Sequence, residues 1–417
     1  MILGKMKTNR RDFIKSMSAL GIVGATYPLF SACAGKNGTE YLNEKITKIE
    51  IFRYDINIPR YFSWGTWHNR QHLFIKISSG DFYGWTETPA SKNNPDFKPT
   101  AWVNYLKQFK GLTLGEAQKR LASEQVLGSK RSLKMLESLD MGLLDLSGRL
   151  QNKSAVDLLG LSGNKPVPGL YCILDKDDKK VREEAEKSIE QNLGHHMKFK
   201  MYGNEKVDLK LLHTIRDVLG DEAVVISDVN KGYKKWKSLN ELKTILDRFK
   251  ANGLNAIEDP AHLKTKQWIA LQKMVGDLTL IPDAPMRPAW KGIKTMETGM
   301  GRIFNLHPST MGSLTHTAKL AHKVKEIGAK VMIGDDSLVG PACSAWQQIA
   351  IGVGATWVEA IEKKEDSKIY LECLQSSATK KEANGYYSFT PKPGFGLEID
   401  TDRLKNIVTS YTDITRT

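Results

Sequence analysis

The sequence predicts a closed parallel βα barrel preceded by an α+β domain, and three observations carry that prediction. From residue 166 on, eight short apolar, β-branched runs alternate with amphipathic stretches, at 166–173, 195–202, 223–229, 254–259, 278–283, 301–307, 329–335 and 355–360. Eight strands with crossover helices over about 200 residues suggest closure, because an open sheet of that size would leave edges exposed. Ahead of them the chain has a different rhythm, alternating at 46–58 and 72–85 and turning helical from about residue 100. Finally, four consecutive runs end on charged residues, and in a parallel barrel those ends converge on one rim.

The elements follow in order. Residues 1–33 read as a targeting segment rather than structure. The stretch 8–15 contains Arg10-Arg11 and resembles the twin-arginine export signal, and the apolar run after it is too short for a membrane span. That run ends in Phe30-Ser-Ala-Cys33, which looks like a bacterial lipoprotein cleavage site with Cys33 as the lipidated residue. A polar linker at 34–43 leads to an α+β domain at 44–165. Within it, Trp64, Trp67 and His68 lie in an aromatic-rich loop that looks like a substrate cover. The helical stretch 138–150 places Leu139, Leu143, Leu146 and Leu150 on one face. The barrel is assigned to 166–384, and 385–417 is expected to return in extended form and pack on the first domain.

Composition narrows the function. With 41% hydrophobic and 26% charged residues among 417, the chain reads as globular and large enough for a substantial core. The net charge is +14, part of it in the leader, and favours anionic small molecules or surfaces. No nucleic-acid-binding motif accompanies it, so a nucleic-acid partner is not expected. Cys172, Cys343 and Cys373 show no metal-ligand spacing, and Cys172 and Cys343, in apolar strand or helix contexts, read as buried thiols.

The charged strand ends are Lys198 and Lys200, then Asp228 with Asn230, then Glu258, then Asp283. Three carboxylates facing two amines suggest a hard divalent cation beside a base, and oxygen-only ligands favour magnesium.

Lys198-Phe-Lys200, Asp228-Val-Asn230, Glu258-Asp-Pro260 and Asp283 are joined by the helix 139–150, Leu158-Leu-Gly160 and Pro393-Gly-Phe-Gly396. In this order they resemble the enolase superfamily, in its mandelate racemase/muconate lactonizing enzyme branch. The resemblance runs from Lys45 nearly to the C-terminus. It implies a modified (β/α)7β TIM-like barrel with an α+β cap, and Mg2+ held by Asp228, Glu258 and Asp283. The metal would chelate a substrate carboxylate and stabilise an enediolate, with Lys200 as base and Lys198 neutralising charge.

The departure from the family pattern is on the sixth strand. Lysine-using members carry Asn-x-Lys there, whereas this chain has Asn305-Leu-His307, followed on the seventh strand by Asp335-Asp336. The expectation is a dyad in which Asp335 or Asp336 orients His307 as an acid. Trp64, Trp67, His68, Asn230 and Asn305 are expected to contact a small carboxylate substrate. Dehydration of an acid sugar is the expected reaction; the alternatives are racemisation or epimerisation of an amino-acid or dipeptide-like carboxylate, cycloisomerisation, and a non-catalytic binding lipoprotein. The protein is expected to be exported, periplasmic or membrane-tethered, and a homo-oligomer.

Overall fold

The structure is a computed structural model and describes residues 39–126 and 132–414. The twin-arginine motif and Cys33 lie outside the described residues. No helix among the described residues is long and apolar enough to cross a membrane.

The cap is built on a four-stranded antiparallel sheet. Lys48–Ile56 pairs with Arg70–Ser79, which pairs in turn with Phe82–Lys92, and the last strand of the chain, Ser410–Asp413, covers the free side of Lys48–Ile56. The alternating run at 72–85 is therefore two strands rather than one. Gly80, at φ 55°, makes the reversal between them in a conformation other residues adopt only under strain. A small hairpin, Arg60–Phe62 with Gly65–Trp67, projects from the sheet.

Helix Leu133–Leu150 starts where the Ser132 side chain accepts the Met135 N–H. Its Leu136, Leu139, Leu143 and Leu146 enter a cap core with Ile49, Ile75, Ile77 and Phe109. The helix lies so close to the sheet that a Cβ on Gly84 would stand 2.2 Å from the Gly142 carbonyl oxygen.

Five barrel strands form one parallel ladder: Tyr171–Ile173, His196–Lys200, Val224–Asp228, Ala256–Glu258 and Thr279–Ile281. The sixth and seventh, Ile303–Leu306 and Lys330–Ile333, form a second parallel pair. The Asn305 N–H, donating to the Pro282 carbonyl at 3.1 Å, joins the two groups. The run at 355–360 is not a full strand. It closes the ring through isolated bridges from Val358 to Ile333 and to Gly169. The run at 166–173 also divides, because Val167–Pro168 pairs with Tyr386–Phe389 near the C-terminus.

Strand alternation then sets the interior. Ile226, Ala256, Ile281, Ile303, Met332 and Trp357 plug the lower barrel. Two residues further along each strand, the same inward face carries Asp228, Glu258, Asp283, Asn305, Gly334 and Glu359. The apolar plug and the polar rim are thus successive layers of one period-two pattern.

Candidate active site

Lys198, Lys200, Asp228, Glu258 and Asp283 are all buried where the second to fifth strands end. Asp228 and Glu258 are direct register partners on adjacent strands. Lys198 Nζ donates at 2.8 Å to both Glu258 Oε2 and Glu359 Oε2, and stands 3.9 Å from Asp228. Lys200 Nζ donates to Asp228 Oδ2 at 2.5 Å, while Asn230 donates to both oxygens of the same carboxylate, from its backbone at 2.8 Å and its side chain at 2.9 Å. Asp283 is gripped by Arg287, whose Nε donates to Oδ1 at 2.6 Å.

These contacts govern protonation. Burial opposes charge on Asp228, but Lys200 and then Lys198 outweigh it and hold the carboxyl down at about 2. Burial, reinforced by the Asp228 charge, pushes Glu258 up to about 7. Burial also works against the Lys200 ammonium, yet Asp228 prevails and raises its pKa above the ordinary value.

The donor set suits a hard divalent ion in kind and placement, with three carboxylates on consecutive strand ends. The buried Oδ1 atoms of Asn230 and Asn305, each on a side chain bonded to one of those carboxylates, have no hydrogen-bond partner. As the side chains stand, each carboxylate is drawn to its own cation. Among the described residues, no three His, Cys, Asp or Glu side chains are gathered to grip an ion.

The other half of the rim departs from expectation. His307 is not paired with Asp335 or Asp336: its Nδ1 lies 2.8 Å from the Pro308 carbonyl oxygen, in its own loop. Asp336 is engaged by two cap lysines instead, Lys92 at 3.2 Å and Lys134. Asp335 accepts the Leu338 N–H at 2.9 Å, and burial raises its carboxyl to about 8. Since a carbonyl only accepts, His307 Nδ1 carries the hydrogen, and the lone pair of the neutral ring lies on Nε2. Burial, then Arg287, keeps the His307 pKa well below its ordinary value.

The loop after His307 is held by the cap. Glu137, buried on the long cap helix, accepts N–H groups from Ser309 at 2.5 Å, Met311 at 2.8 Å and Gly312 at 3.0 Å. Glu87 on the cap sheet similarly accepts from Val339 and Gly340 in the seventh-strand loop.

A cavity of about 300 Å³ joins the two halves. Lys200, Asn230, Arg287, His307, Asp335, Asp336 and Glu359 line it from the barrel, and Phe62, Trp64, Trp67, Lys92 and Lys134 from the cap. Phe62 stacks on Trp64 with centroids 4.9 Å apart, forming an aromatic wall. His68 is not part of it: it follows the hairpin strand, is exposed, and its backbone N–H bonds to Asn93. Asn305 sits within the barrel rather than on the cavity wall, donating to Glu258 Oε1 at 3.0 Å. The glycine at 334 leaves it room, since a Cβ there would meet Asn305 Oδ1 at 2.6 Å.

Glu359, Arg287, Lys92, Lys134 and Glu137 were not singled out from sequence. Glu359 was within reach, because it ends the eighth run as Glu258 ends the fourth. The two lysines and Glu137 gave no local signal, since their partners lie on other elements.

Comparison with known proteins agrees with this architecture. The family model described as Enolase C-terminal domain-like matches residues 180–403, more than half of the chain. The chain is 22% identical over 391 residues to the N-succinyl-L-Arg/Lys racemase of Bacillus cereus, covering 89% of this chain and all of that protein. Other relatives are cycloisomerases and an arabinonate dehydratase. The muconate lactonizing enzyme of Pseudomonas fluorescens, complexed with muconolactone, superposes with a TM-score of 0.72 at 19% identity, over 88% of this chain and 100% of that one. A dipeptide epimerase from Cytophaga hutchinsonii, complexed with Mg and dipeptide D-Ala-L-Val, superposes with a TM-score of 0.71 at 16% identity, over 89% of this chain and 100% of that one.

The class is a capped TIM-like barrel enzyme. The chain belongs to the enolase superfamily, in its mandelate racemase/muconate lactonizing enzyme branch. It is therefore an enzyme of the lyase and isomerase group whose members bind Mg2+.

Proposed function

We propose that this enzyme moves a proton between the two faces of the carbon beside a substrate carboxylate, racemising or epimerising it, with Lys200 and His307 as the two acid/base groups. One observation carries this reading. The two side chains rise from the second and sixth strands, on opposite sides of the barrel, and line one cavity in complementary protonation states. Lys200 holds a proton beside Asp228. His307 is neutral, with Nε2 free to accept one.

Magnesium held by Asp228, Glu258 and Asp283 would supply the positive charge that makes the hydrogen beside a carboxylate acidic enough to remove. In one direction His307 Nε2 takes the proton and the Lys200 ammonium delivers another to the opposite face. In the other direction the roles exchange. Asn230 and Lys198 keep the carboxylates oriented, and the Phe62–Trp64–Trp67 wall shields the reacting carbon from water.

The expectation of acid-sugar dehydration rests on the missing strand-six lysine, on an anionic substrate and on a His307 acid oriented by an aspartate. The last of these supports is lost, because Pro308 makes that contact instead. Incubating acid sugars, N-acyl amino acids and dipeptides with the enzyme and Mg2+ in heavy water tests the choice. Inversion with uptake of one deuterium and no loss of water is expected, abolished by a chelator and restored by Mg2+. Loss of water from an acid sugar without inversion would overturn this reading in favour of dehydration.

The leader motif and Cys33 support an exported, lipid-tethered enzyme acting on substrate outside the cytoplasm. Replacing Arg10 and Arg11 with lysine should retain it inside the cell. A wild-type protein found there with its leader intact contradicts this.

A further inference from the structure

Of the three carboxylates at the strand ends, Asp283 is held in a way the others are not. Lys198 and Lys200, which serve Glu258 and Asp228, are enclosed on a barrel strand with side chains only 2% and 8% exposed. Arg287 comes from the loop four residues beyond Asp283, its side chain is 25% exposed, and it lines the reaction cavity. It binds as a fork. Nε donates to Asp283 Oδ1 at 2.6 Å and a second guanidinium nitrogen pairs with Oδ2, so both oxygens are taken. The aspartate is fixed from behind, because the Asp259 carboxylate accepts the N–H of Asp283 at 3.2 Å and that of Ala284 at 3.1 Å. Of the two partners, the arginine is the one that can swing away.

Charge points the same way. Lys198, Lys200 and Arg287 stand among Asp228, Glu258, Asp283 and Glu359, three cations for four carboxylates. Without its arginine the buried Asp283 carboxylate would be an uncompensated charge, which is costly. A divalent ion supplies the same compensation, but it needs an Asp283 oxygen at about 2.1 Å. Arginine and metal therefore contend for the same atoms.

We propose that Arg287 is an internal competitor of the metal at Asp283: it holds the carboxylate until Mg2+ takes the oxygens, and is then turned out onto the cavity wall. This one side chain thereby sets how tightly the enzyme binds its metal. The proposal rests on the assignment of Asp283 to the metal, and not on the direction of proton transfer.

Calorimetric titration of the EDTA-treated enzyme with MgCl2 tests this, with no turnover read. Arg287→Gln should bind Mg2+ at least about tenfold more tightly than wild type, the worth of a charge-assisted pair removed from the competition. Arg287→Lys keeps the charge but loses the fork, and should fall between the two. The thermal midpoint gives a second readout. Before Mg2+ is added Arg287→Gln should melt below wild type, and Mg2+ should raise its midpoint by more than it raises that of wild type. Damage to the fold would weaken the metal site, so a merely structural role does not yield tighter binding. Mg2+ affinity in Arg287→Gln equal to or below that of wild type would overturn the proposal. Should that variant not fold, Arg287→Lys decides alone, by tighter binding in favour and equal or weaker binding against. Asp283→Asn checks the premise. If it binds Mg2+ as wild type does, the metal assignment falls and this proposal with it. If it binds weakly while Arg287→Gln binds no more tightly than wild type, this proposal falls alone.

Discussion

The two halves of the barrel rim reach their geometry by different routes. On the third to fifth strands, Asp228, Glu258 and Asp283 each sit two residues above an apolar plug residue. The second strand supplies the cations for the first two, Lys200 to Asp228 on the next strand and Lys198 to Glu258 one strand further on. On the sixth and seventh strands the decisive partners come from the cap. Glu137 holds the loop after His307, Glu87 holds the loop after Asp336, and Lys92 and Lys134 occupy Asp336 itself. The first half is set by strand periodicity and the second by domain docking. Catalytic groups on one rim can therefore be tuned by residues far away in sequence without disturbing the carboxylate cluster.

Breaking the first half should have the largest effect. Lys198→Met removes the cation shared by Glu258 and Glu359 and leaves buried carboxylates uncompensated, a loss of about 3–5 kcal/mol in unfolding free energy. Denaturant titration should show this, with turnover falling more than about a hundredfold through lost transition-state charge balance. A variant as stable and active as wild type would mean that the cluster does not depend on the shared cation.

Breaking the second half should be milder and more selective. Glu137→Leu strands three backbone N–H groups and should cost about 2–3 kcal/mol. Its effect on turnover should exceed that of Glu137→Gln, which keeps one acceptor oxygen. If both variants lower stability but neither changes kcat, the loop is held for folding alone.

The smallest effect is on pH dependence. Burial, opposed only in part by the three N–H donors, raises Glu137 to about 7 in the folded protein, above the ordinary 4.5. The folded state therefore holds that proton more tightly, and the contribution is full below about pH 4.5 and lost as pH rises through about 7. The denaturant midpoint should fall more steeply between pH 5 and 8 in wild type than in Glu137→Gln. Equal slopes would remove Glu137 as the source.

Legibility in the sequence follows the same division. The parallel array and the strand-end positions of Lys198, Lys200, Asp228, Glu258 and Asp283 were readable, because period-two alternation and strand ends are local properties. Glu359 obeys the same rule and could have been read from it. The His307 dyad could not be decided locally. Both aspartates follow the next strand at plausible spacing, but Asp336 is claimed by lysines more than two hundred positions away, and Asp335 turns back to Leu338. The eighth run looked like a strand from composition, yet only Val358 bridges its neighbours. His68 was grouped with Trp64 and Trp67 by proximity, but the hairpin ends before it.

The most direct test of the central claim, that Lys200 and His307 serve opposite faces of one carbon, is stereospecific hydrogen exchange. Each enantiomer of the substrate that inverts is incubated in heavy water with Mg2+ and with wild type, Lys200→Ala or His307→Asn. Wild type should exchange and invert both. Each variant should lose inversion by at least about a thousandfold. His307→Asn should still exchange the enantiomer whose hydrogen faces Lys200, and Lys200→Ala only the other one. Exchange of both enantiomers surviving in His307→Asn would contradict the account, because one group would then serve both faces.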